Sequence, residues 1–226
     1  MTSTSLSPRH TANEEWLASY SSGTLTPAKS LLIDCQMAIA PAIAAKINVF
    51  DEIGGAFIES AKGEDLSNDF LSRLSSALPD SDMPAHDPSA TARDQSRASG
   101  WIPSPLQKFL ETSEIDLKWK KSGPGVERAP LLGEDGERLY LLKAKQGLKL
   151  PVHTHRGQEW TLILQGGYNV NGENYGVGDL HCEDENCVHQ PIIDAHGEDC
   201  ISLVVDEGAL VFKNPIYKII QPLLGV

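Results

Sequence analysis

Four residues in the C-terminal half of the chain have the types and spacing to bind a metal ion together. His153 and His155 are separated by one residue, Glu159 follows them, and His189 lies 30 residues further on. Side chains two residues apart on a strand project to the same face, so both imidazoles point the same way. If strand geometry resumes after the turn at 156–157, Glu159 faces that side too. Three imidazoles and one carboxylate suit Zn²⁺, Mn²⁺, Fe²⁺ or Ni²⁺.

Other interpretations of these residues stay open from spacing alone. A histidine pair of this kind is more often exposed, or hydrogen-bonded inside a core, than bound to metal. His181 competes with His189 as the fourth ligand. Cys182 and Cys187 are too loosely spaced for a zinc clip and are expected to be free thiols. Cys200 is expected to pack inside a strand as a small hydrophobic residue, and the four cysteines together predict reduced thiols rather than a disulfide framework.

The elements that would position these ligands are short strands. After residue 101 and one short helix, segments with a two-residue apolar period alternate with turns rich in Gly, Asp and Asn. No helix of crossover length interrupts them, so the strands are predicted to be antiparallel. Many short antiparallel strands indicate a β-sandwich or a barrel.

The chain before residue 79 has a helical pattern instead. Thr11 and Glu14 form a capping box, Thr26 with Pro27 starts a second helix, and Pro41 opens a third. A fourth helix follows in "LSNDFLSRLSSAL". The apolar stripe of the third helix is predicted to consist of Ile43, Ile47, Phe50, Phe57 and Ile58. The residues of the fourth helix that are predicted to face inward are Phe70, Leu71, Leu74 and Leu78.

A change of composition separates the two parts. The stretch from Pro79 to Gly100 is rich in Pro, Asp, Ser and Ala and is typical of a solvated linker. The expected organisation is therefore a helical domain at 1–78, a linker at 79–100 and a β domain at 101–226.

Composition excludes some partners. The chain has 226 residues, 40% hydrophobic and 22% charged, as in ordinary globular proteins, and a formal net charge of −12. Such a charge argues against direct binding to nucleic acid or to an anionic membrane, whereas a basic protein remains a suitable partner. The N-terminal residues lack the pattern of a signal peptide, and no apolar run has the length of a membrane span, so a cytoplasmic location is expected.

Glycines around the proposed ligands extend the pattern to a family motif. Gly147, the two histidines, Glu159 and Gly166 fit G-x5-H-x-H-x3-E-x6-G. A looser second motif ends with His189 just before "QP". This pattern resembles the cupin superfamily, which implies an antiparallel jelly-roll barrel. The expected fold class is α+β, with a small N-terminal helical bundle and a C-terminal cupin barrel.

The resemblance extends over nearly the whole chain. The segments "HTANEEWLASYSSGTLTPAKSLLIDCQMA", "GERLYLLKAKQGLKLPVHTHRGQEWTLILQGGY" and "GEDCISLV" are similar to those of the ChrR-type anti-sigma factors. The resemblance implies that the helical domain sequesters an extracytoplasmic-function sigma factor and releases it under oxidative stress of the singlet-oxygen type. It also implies one divalent metal in the cupin domain, with zinc as first choice and Mn, Fe or Ni as alternatives. The oligomeric state stays open, a homodimer included.

The chain departs from this family in its helical domain. The family's N-terminal zinc site uses an early histidine and H-x3-C-x2-C on one helix. Here His10 and Cys35 match, but Leu31 and Ala38 occupy the other two positions. A structural zinc site needs four ligands, so no zinc is expected in this domain. The family's second cysteine near the C-terminal strands is replaced by Ser202, which argues against a paired thiol switch.

Two other functions remain possible on the same ligands. Many cupins are metalloenzymes with dioxygenase or isomerase chemistry, and others bind a small molecule at the metal. The N-terminal helical domain favours the regulatory function, because a cupin enzyme has no evident need for it. The chain is therefore predicted to be a regulator rather than an enzyme.

Overall fold

The structure, a computed structural model, describes residues 8–78, 100–134, 136–208 and 210–212. The predicted linker lies outside these ranges except for Gly100. Within them the chain forms five helices followed by eleven strands. The helices are α1 (Glu14–Ser21), α2 (Pro27–Ile39), α3 (Ala42–Ser60), α4 (Phe70–Ala77) and α5 (Ser104–Thr112). The strands are β1 (Lys120–Gly123), β2 (Val126–Glu134), β3 (Glu137–Ala144), β4 (His153–His155), β5 (Glu159–Gln165), β6 (Gly167–Val170), β7 (Glu173–Gly176), β8 (Leu180–Glu183), β9 (Ile192–Ile193), β10 (Cys200–Asp206) and β11 (Leu210–Phe212).

Local capping explains where the first two helices begin. Asn13, not Thr11, caps α1: its side-chain oxygen accepts a hydrogen bond from the Trp16 N–H at 2.9 Å. The Thr11 capping box was therefore a wrong prediction. Helix α2 begins as predicted, with the Thr26 hydroxyl accepting from the Lys29 N–H at 3.4 Å and proline at the first helical position.

The strands pair antiparallel throughout, as predicted, and form three sheets. The largest has the order β1-β2-β3-β10-β5-β8, and the others have the orders β11-β4 and β7-β6-β9. Within the described residues these sheets do not close into one barrel. Strands β4, β9 and β11 contain only two or three residues each, so they form too few ladder hydrogen bonds to join the sheets continuously.

Alternation along the strands gives the large sheet two different faces. On β5, Trp160 and Leu162 belong to a cluster of buried residues shared with α1, α2 and α5, whereas Ile163 belongs to a second cluster inside the β domain. The shared cluster includes Leu17, Leu32 and Leu106, which are fully buried. The helices therefore cover the outer face of the sheet, and the space between the sheets is left for the inner cluster and the histidines.

The C-terminal half of α3 and the whole of α4 behave differently from this core. Ile43 and Ile47 are buried as predicted, but Phe57 is 72% exposed and Leu71 is 72% exposed. The prediction that the apolar residues of the fourth helix face inward is wrong, since all four are at least 36% exposed. An apolar stripe shows that a face needs cover, but not that this chain supplies it. None of the described helices is long and apolar enough to cross a membrane.

One buried polar side chain connects the helices to the β domain. Gln36 of α2 is fully buried, and its amide oxygen accepts a hydrogen bond from the Ala12 N–H at 3.1 Å. Its amide nitrogen donates to the carbonyl oxygens of His10, at 3.1 Å, and Gly178, at 2.9 Å. The carboxylate of Asp179 accepts from the backbone N–H groups of Arg9 and His10. The segment before α1 is thus held extended against the turn between β7 and β8.

We predict that Gln36→Leu destabilises the protein by at least about 2 kcal/mol, because it leaves three buried backbone groups without their partner. Chemical denaturation followed by circular dichroism measures the free energy of unfolding. Gln107→Leu is the matched control, since the Gln107 side chain pairs with Glu111 on the surface of α5. Equal stability of the two variants would contradict this role for Gln36.

Candidate metal centre

Backbone pairing brings the histidines of two distant segments together. His153 and His189 form an isolated antiparallel bridge, with N–H to carbonyl distances of 3.1 Å and 3.0 Å in the two directions. His155 lies on the same side of β4 as His153, as strand geometry requires. The three side chains are buried, with 6% or less of each residue exposed. The structure therefore brings His153, His155 and His189 into one group.

The ring nitrogens of this group have the separations that a metal ion imposes. His189 Nε2 lies 2.9 Å from His153 Nε2 and 3.4 Å from His155 Nε2. Nitrogen ligands bind metals such as zinc at about 2.0–2.1 Å, so two of them at angles between about 90° and 109° are about 2.9–3.4 Å apart. The group fits a single cation bound through the three Nε2 atoms.

Each histidine also has an oxygen atom beside its other ring nitrogen. His153 Nδ1 donates to the Pro151 carbonyl at 2.7 Å, which fixes the tautomer with its Nε2 lone pair toward the group. His189 Nδ1 lies 3.2 Å from Glu183 Oε1, and His155 Nδ1 lies 3.5 Å from Glu159 Oε2. These two contacts lack hydrogen-bond geometry, so both nitrogens are buried with no hydrogen-bond partner among the described residues.

Glu159, the predicted carboxylate ligand, is adjacent to the histidines but is not in the group of three. Its Oε2 atom contacts the ring nitrogen of His155 that faces away from the other histidines, and its Oε1 accepts from the Thr161 hydroxyl at 3.2 Å. Burial raises the pKa of Glu159, with the nearby His153 and His189 acting in the opposite direction.

His181, the alternative fourth ligand, contacts Tyr168 and Glu183 through its two ring nitrogens. Its Nδ1 lies 2.8 Å from the Tyr168 hydroxyl, and its Nε2 lies 2.8 Å from Glu183 Oε1. Glu183 therefore touches both His181 and His189. Sequence reasoning missed Glu183 as part of the site, although it follows His181 by two residues and so shares its face of β8.

The electrostatics of the group favour a bound cation. Burial lowers the pKa of His153 to about 4 and that of His155 to about 4, and repulsion from His189 adds to both shifts. Both imidazoles are therefore neutral at neutral pH, which is the form that binds metal. Burial alone would raise the pKa of Glu183, but its contacts with His181, His189 and Cys187 outweigh that effect and hold the pKa well below its usual range.

In the helical domain, the positions that correspond to the family's zinc site are not assembled as ligands. Cys35 is fully buried, and burial raises the pKa of its thiol to about 12, whereas zinc binds the thiolate. Leu31 is buried and Ala38 is exposed. The His10 ring packs on Tyr175 of the β domain at a centroid distance of 4.4 Å.

The cysteines are free thiols, as predicted, and all four lie within the described residues. Cys200 packs inside β10 with 3% of its surface exposed, and burial raises its pKa to about 12. Cys182 is exposed, but partial desolvation and the nearby Glu183 carboxylate raise its pKa to about 12, and a hydrogen bond to Glu183 raises that of Cys187 to about 11. None of these three thiols is activated as a nucleophile.

Comparison with known proteins shows which family this chain is similar to. A family model described as the ChrR Cupin-like domain matches residues 108–210. The anti-sigma-E factor ChrR of Cereibacter sphaeroides is 30% identical over 219 residues, which is 96% of this chain and 99% of that protein.

One solved structure agrees with this similarity over most of both chains. In the crystal structure of Rhodobacter sphaeroides SigE in complex with the anti-sigma ChrR, the matched chain is 27% identical with a TM-score of 0.71, over 88% of this chain and 98% of that one. An RmlC-like cupin protein from Ralstonia eutropha matches 45% of this chain and 69% of its own, at 25% identity and a TM-score of 0.42. Because the similarity to the curated relative extends over nearly the full length of both chains, this chain belongs to the ChrR family of anti-sigma factors.

Proposed function

We propose that this chain is an anti-sigma factor that sequesters an extracytoplasmic-function sigma factor and releases it under oxidative stress. In this proposal the helices bind the sigma factor, and the cupin domain holds a divalent metal and senses the signal. The proposed division is a helical domain at 1–78, a linker at 79–100 and a cupin domain at 101–226. Helix α5 belongs to the cupin domain by sequence, although it packs on α2.

The observation that carries the proposal is a set of large apolar side chains on α3 and α4 that the described part of the chain leaves exposed. We call it the α3–α4 surface; its residues are Val49, Ile53, Phe57, Ile58, Phe70, Leu71, Leu74 and Leu78, each at least 36% exposed. A soluble protein rarely exposes so many large apolar side chains on neighbouring helices unless a partner covers them. Amphipathic helices that bind partners present such anchors at helical spacing.

Charge complementarity supports a sigma factor as that partner. Acidic residues accompany the apolar ones on and between these helices; they are Asp51, Glu52, Glu59, Glu64, Asp65 and Asp69. A protein that binds DNA carries basic patches, because it must neutralise phosphates. The acidic residues among these apolar ones therefore complement such a protein and favour its capture over binding to DNA.

We predict that the double substitution Phe57→Ser and Leu71→Ser weakens binding to the cognate sigma factor at least tenfold, because both side chains are mostly exposed and act as anchors. Isothermal titration calorimetry with the co-encoded sigma factor measures the affinity. Thermal unfolding of the free variant should be unchanged, since neither side chain is part of the core.

The matched control for this prediction is Leu132→Ser, which removes an exposed apolar side chain of β2 on the other domain. It should bind the sigma factor with wild-type affinity. If the double variant binds as tightly as this control, the α3–α4 surface is not the sigma-binding surface.

The metal site of the proposal consists of His153, His155 and His189, with Glu159 as the fourth ligand. Zinc is the first choice, and manganese, iron or nickel are the alternatives. A bound cation would supply a positive charge and a Lewis acid inside the cupin domain. The chain itself contributes three buried imidazoles, a fixed tautomer at His153, and a contact between segments that are 36 residues apart.

We predict that His189→Ala abolishes stoichiometric metal, because it removes the nitrogen that is closest to both other ligands. Glu159→Gln should reduce metal affinity by about 10–100-fold, whether the carboxylate is a ligand or only orients His155. Inductively coupled plasma mass spectrometry of the purified proteins gives the metal content, and a competing chelator gives the affinity.

His196→Ala is the control for both variants, because His196 is exposed and is not a member of the group of three histidines. A chelator should lower the melting temperature of the wild type and of this control, but not that of His189→Ala. Full metal content in His189→Ala would contradict the assignment of the ligands.

The oxidative signal is proposed to act at the metal or its surroundings rather than at a thiol pair. Cys200 is buried with a raised pKa, and Ser202 stands where the family pattern has a second cysteine. Singlet oxygen generated with a photosensitiser should dissociate the complex of the wild-type chain with its sigma factor, as measured by native gel or light scattering. Persistence of the complex under this treatment would leave sequestration intact and remove the stress signal from the proposal.

A further inference from the structure

A cavity of about 210 Å³ lies between the sheets of the cupin domain, and the proposed metal site forms part of its wall. His153 and His189 line it on one side, and Glu159, Thr161 and His181 line it from β5 and β8. The site is therefore accessible to a molecule in the cavity rather than enclosed in packed protein, which distinguishes it from a purely structural metal site.

Most of the remaining wall is apolar. Side chains from all three sheets and from the segment between β3 and β4 line it; they are Val126, Leu142, Leu148, Leu150, Ile193 and Phe212. An inorganic ion would lose its hydration against such a wall without compensation. The lining therefore favours a molecule with a hydrocarbon part, which gains free energy as its apolar surface leaves water.

A buried arginine gives the same cavity a positive charge. Arg128 of β2 is 8% exposed, and its guanidinium carbon lies 3.6 Å from the centre of the Tyr140 ring. Both side chains line the cavity. Arginine stays charged in proteins and binds carboxylates through paired N–H groups.

The charges that face Arg128 leave the cavity positive once a divalent cation is bound. Asp206 already forms a two-contact ion pair with Arg138, at 2.7 Å and 3.0 Å. Glu159 is the carboxylate that lines the cavity, and it offsets one positive charge. Among the described lining residues, Arg128 and Lys149 are basic and Glu159 is acidic, so with a divalent cation the positive charge exceeds the negative charge by three.

We propose that this cavity binds a small carboxylate with an apolar tail, and that Arg128 is the residue of this chain that selects the charged head. The tail packs against Leu142, Ile193 and Phe212. The inference rests on the proposed function in that the metal supplies part of the positive charge. It goes beyond that function, because it names the chemical class of molecule that the cupin domain recognises.

The test uses the full-length, metal-loaded chain and two matched probes, hexanoate and hexan-1-ol, in isothermal titration calorimetry at neutral pH. The two probes share the same hydrocarbon tail and differ in charge. Hexanoate should bind at least tenfold more tightly than the alcohol, because a hydrogen bond to a charged group contributes about 1.5–3 kcal/mol. Absence of hexanoate binding, or equal binding of the alcohol, would overturn the proposal.

Variants of Arg128 identify the source of the selectivity. Arg128→Met should weaken hexanoate binding at least tenfold and leave the weak binding of the alcohol unchanged, whereas Arg128→Lys should retain most of the preference. Lys120→Met, which removes an exposed cation of β1, is the control and should bind hexanoate like the wild type. If Arg128→Met does not fold, Arg128→Gln takes its place: loss of the preference for hexanoate with an unchanged melting temperature supports the arginine contact, and a preference equal to that of the wild type overturns it.

Metal analysis of the same protein distinguishes failure of this proposal from failure of the metal assignment. If metal analysis finds no cation, the proposed metal site fails, but hexanoate binding that depends on Arg128 still supports the carboxylate site. If the cation is present and hexanoate binds no better than the alcohol, the metal site stands and the carboxylate site is wrong.

Discussion

The two-residue alternation of the strands is the constraint on which the rest of this structure depends. On β5, Glu159, Thr161 and Ile163 face the inside of the cupin domain, whereas Trp160 and Leu162 face the helices. A shift of one residue in the pairing of β5 with β10 would exchange the two sets. The metal site, the cavity and the surface on which the helices pack are therefore fixed by one register.

The contact between the helices and the sheet follows from the same alternation. Trp16 of α1 stacks on Trp160 at a centroid distance of 3.6 Å, and the Lys29 ammonium group lies 4.9 Å from the Trp160 ring centre. Lys29 also forms an ion pair with Glu207, next to the end of β10. Trp160 directly follows Glu159 in the chain, so the residue that holds α1 and α2 is adjacent to a proposed metal ligand.

The sequence predicted the parts of the site that depend on local spacing. His153 and His155 lie on one strand face because they are two residues apart, and the family pattern placed His189 beside them. Glu183 and Arg128 could not be found in this way, because their roles depend on pairing between strands that are distant in the chain. Arg128 reaches the cavity only because β2 pairs with β3 and β3 with β10.

The helical domain shows the complementary limit of sequence reasoning. Thr26 and Pro27 start α2 through contacts within four residues, and the prediction was right. Residues 9–12 are instead held by Gln36 and Asp179, so α1 begins later than the capping box indicates. The prediction that the apolar residues of α4 face inward was wrong, because amphipathic spacing describes a face and does not identify what covers it.

The α3–α4 surface also affects the behaviour of the chain in solution without a partner. Exposed aromatic and aliphatic side chains on α3 and α4 favour self-association of the protein. The formal net charge of −12 opposes this, because like-charged molecules repel at the distances where such contacts begin. Added salt shortens the range of that repulsion to about 3 Å at 1 M. Colloidal stability of the unbound protein is therefore a balance between these apolar side chains and the charge, and ionic strength moves it toward self-association.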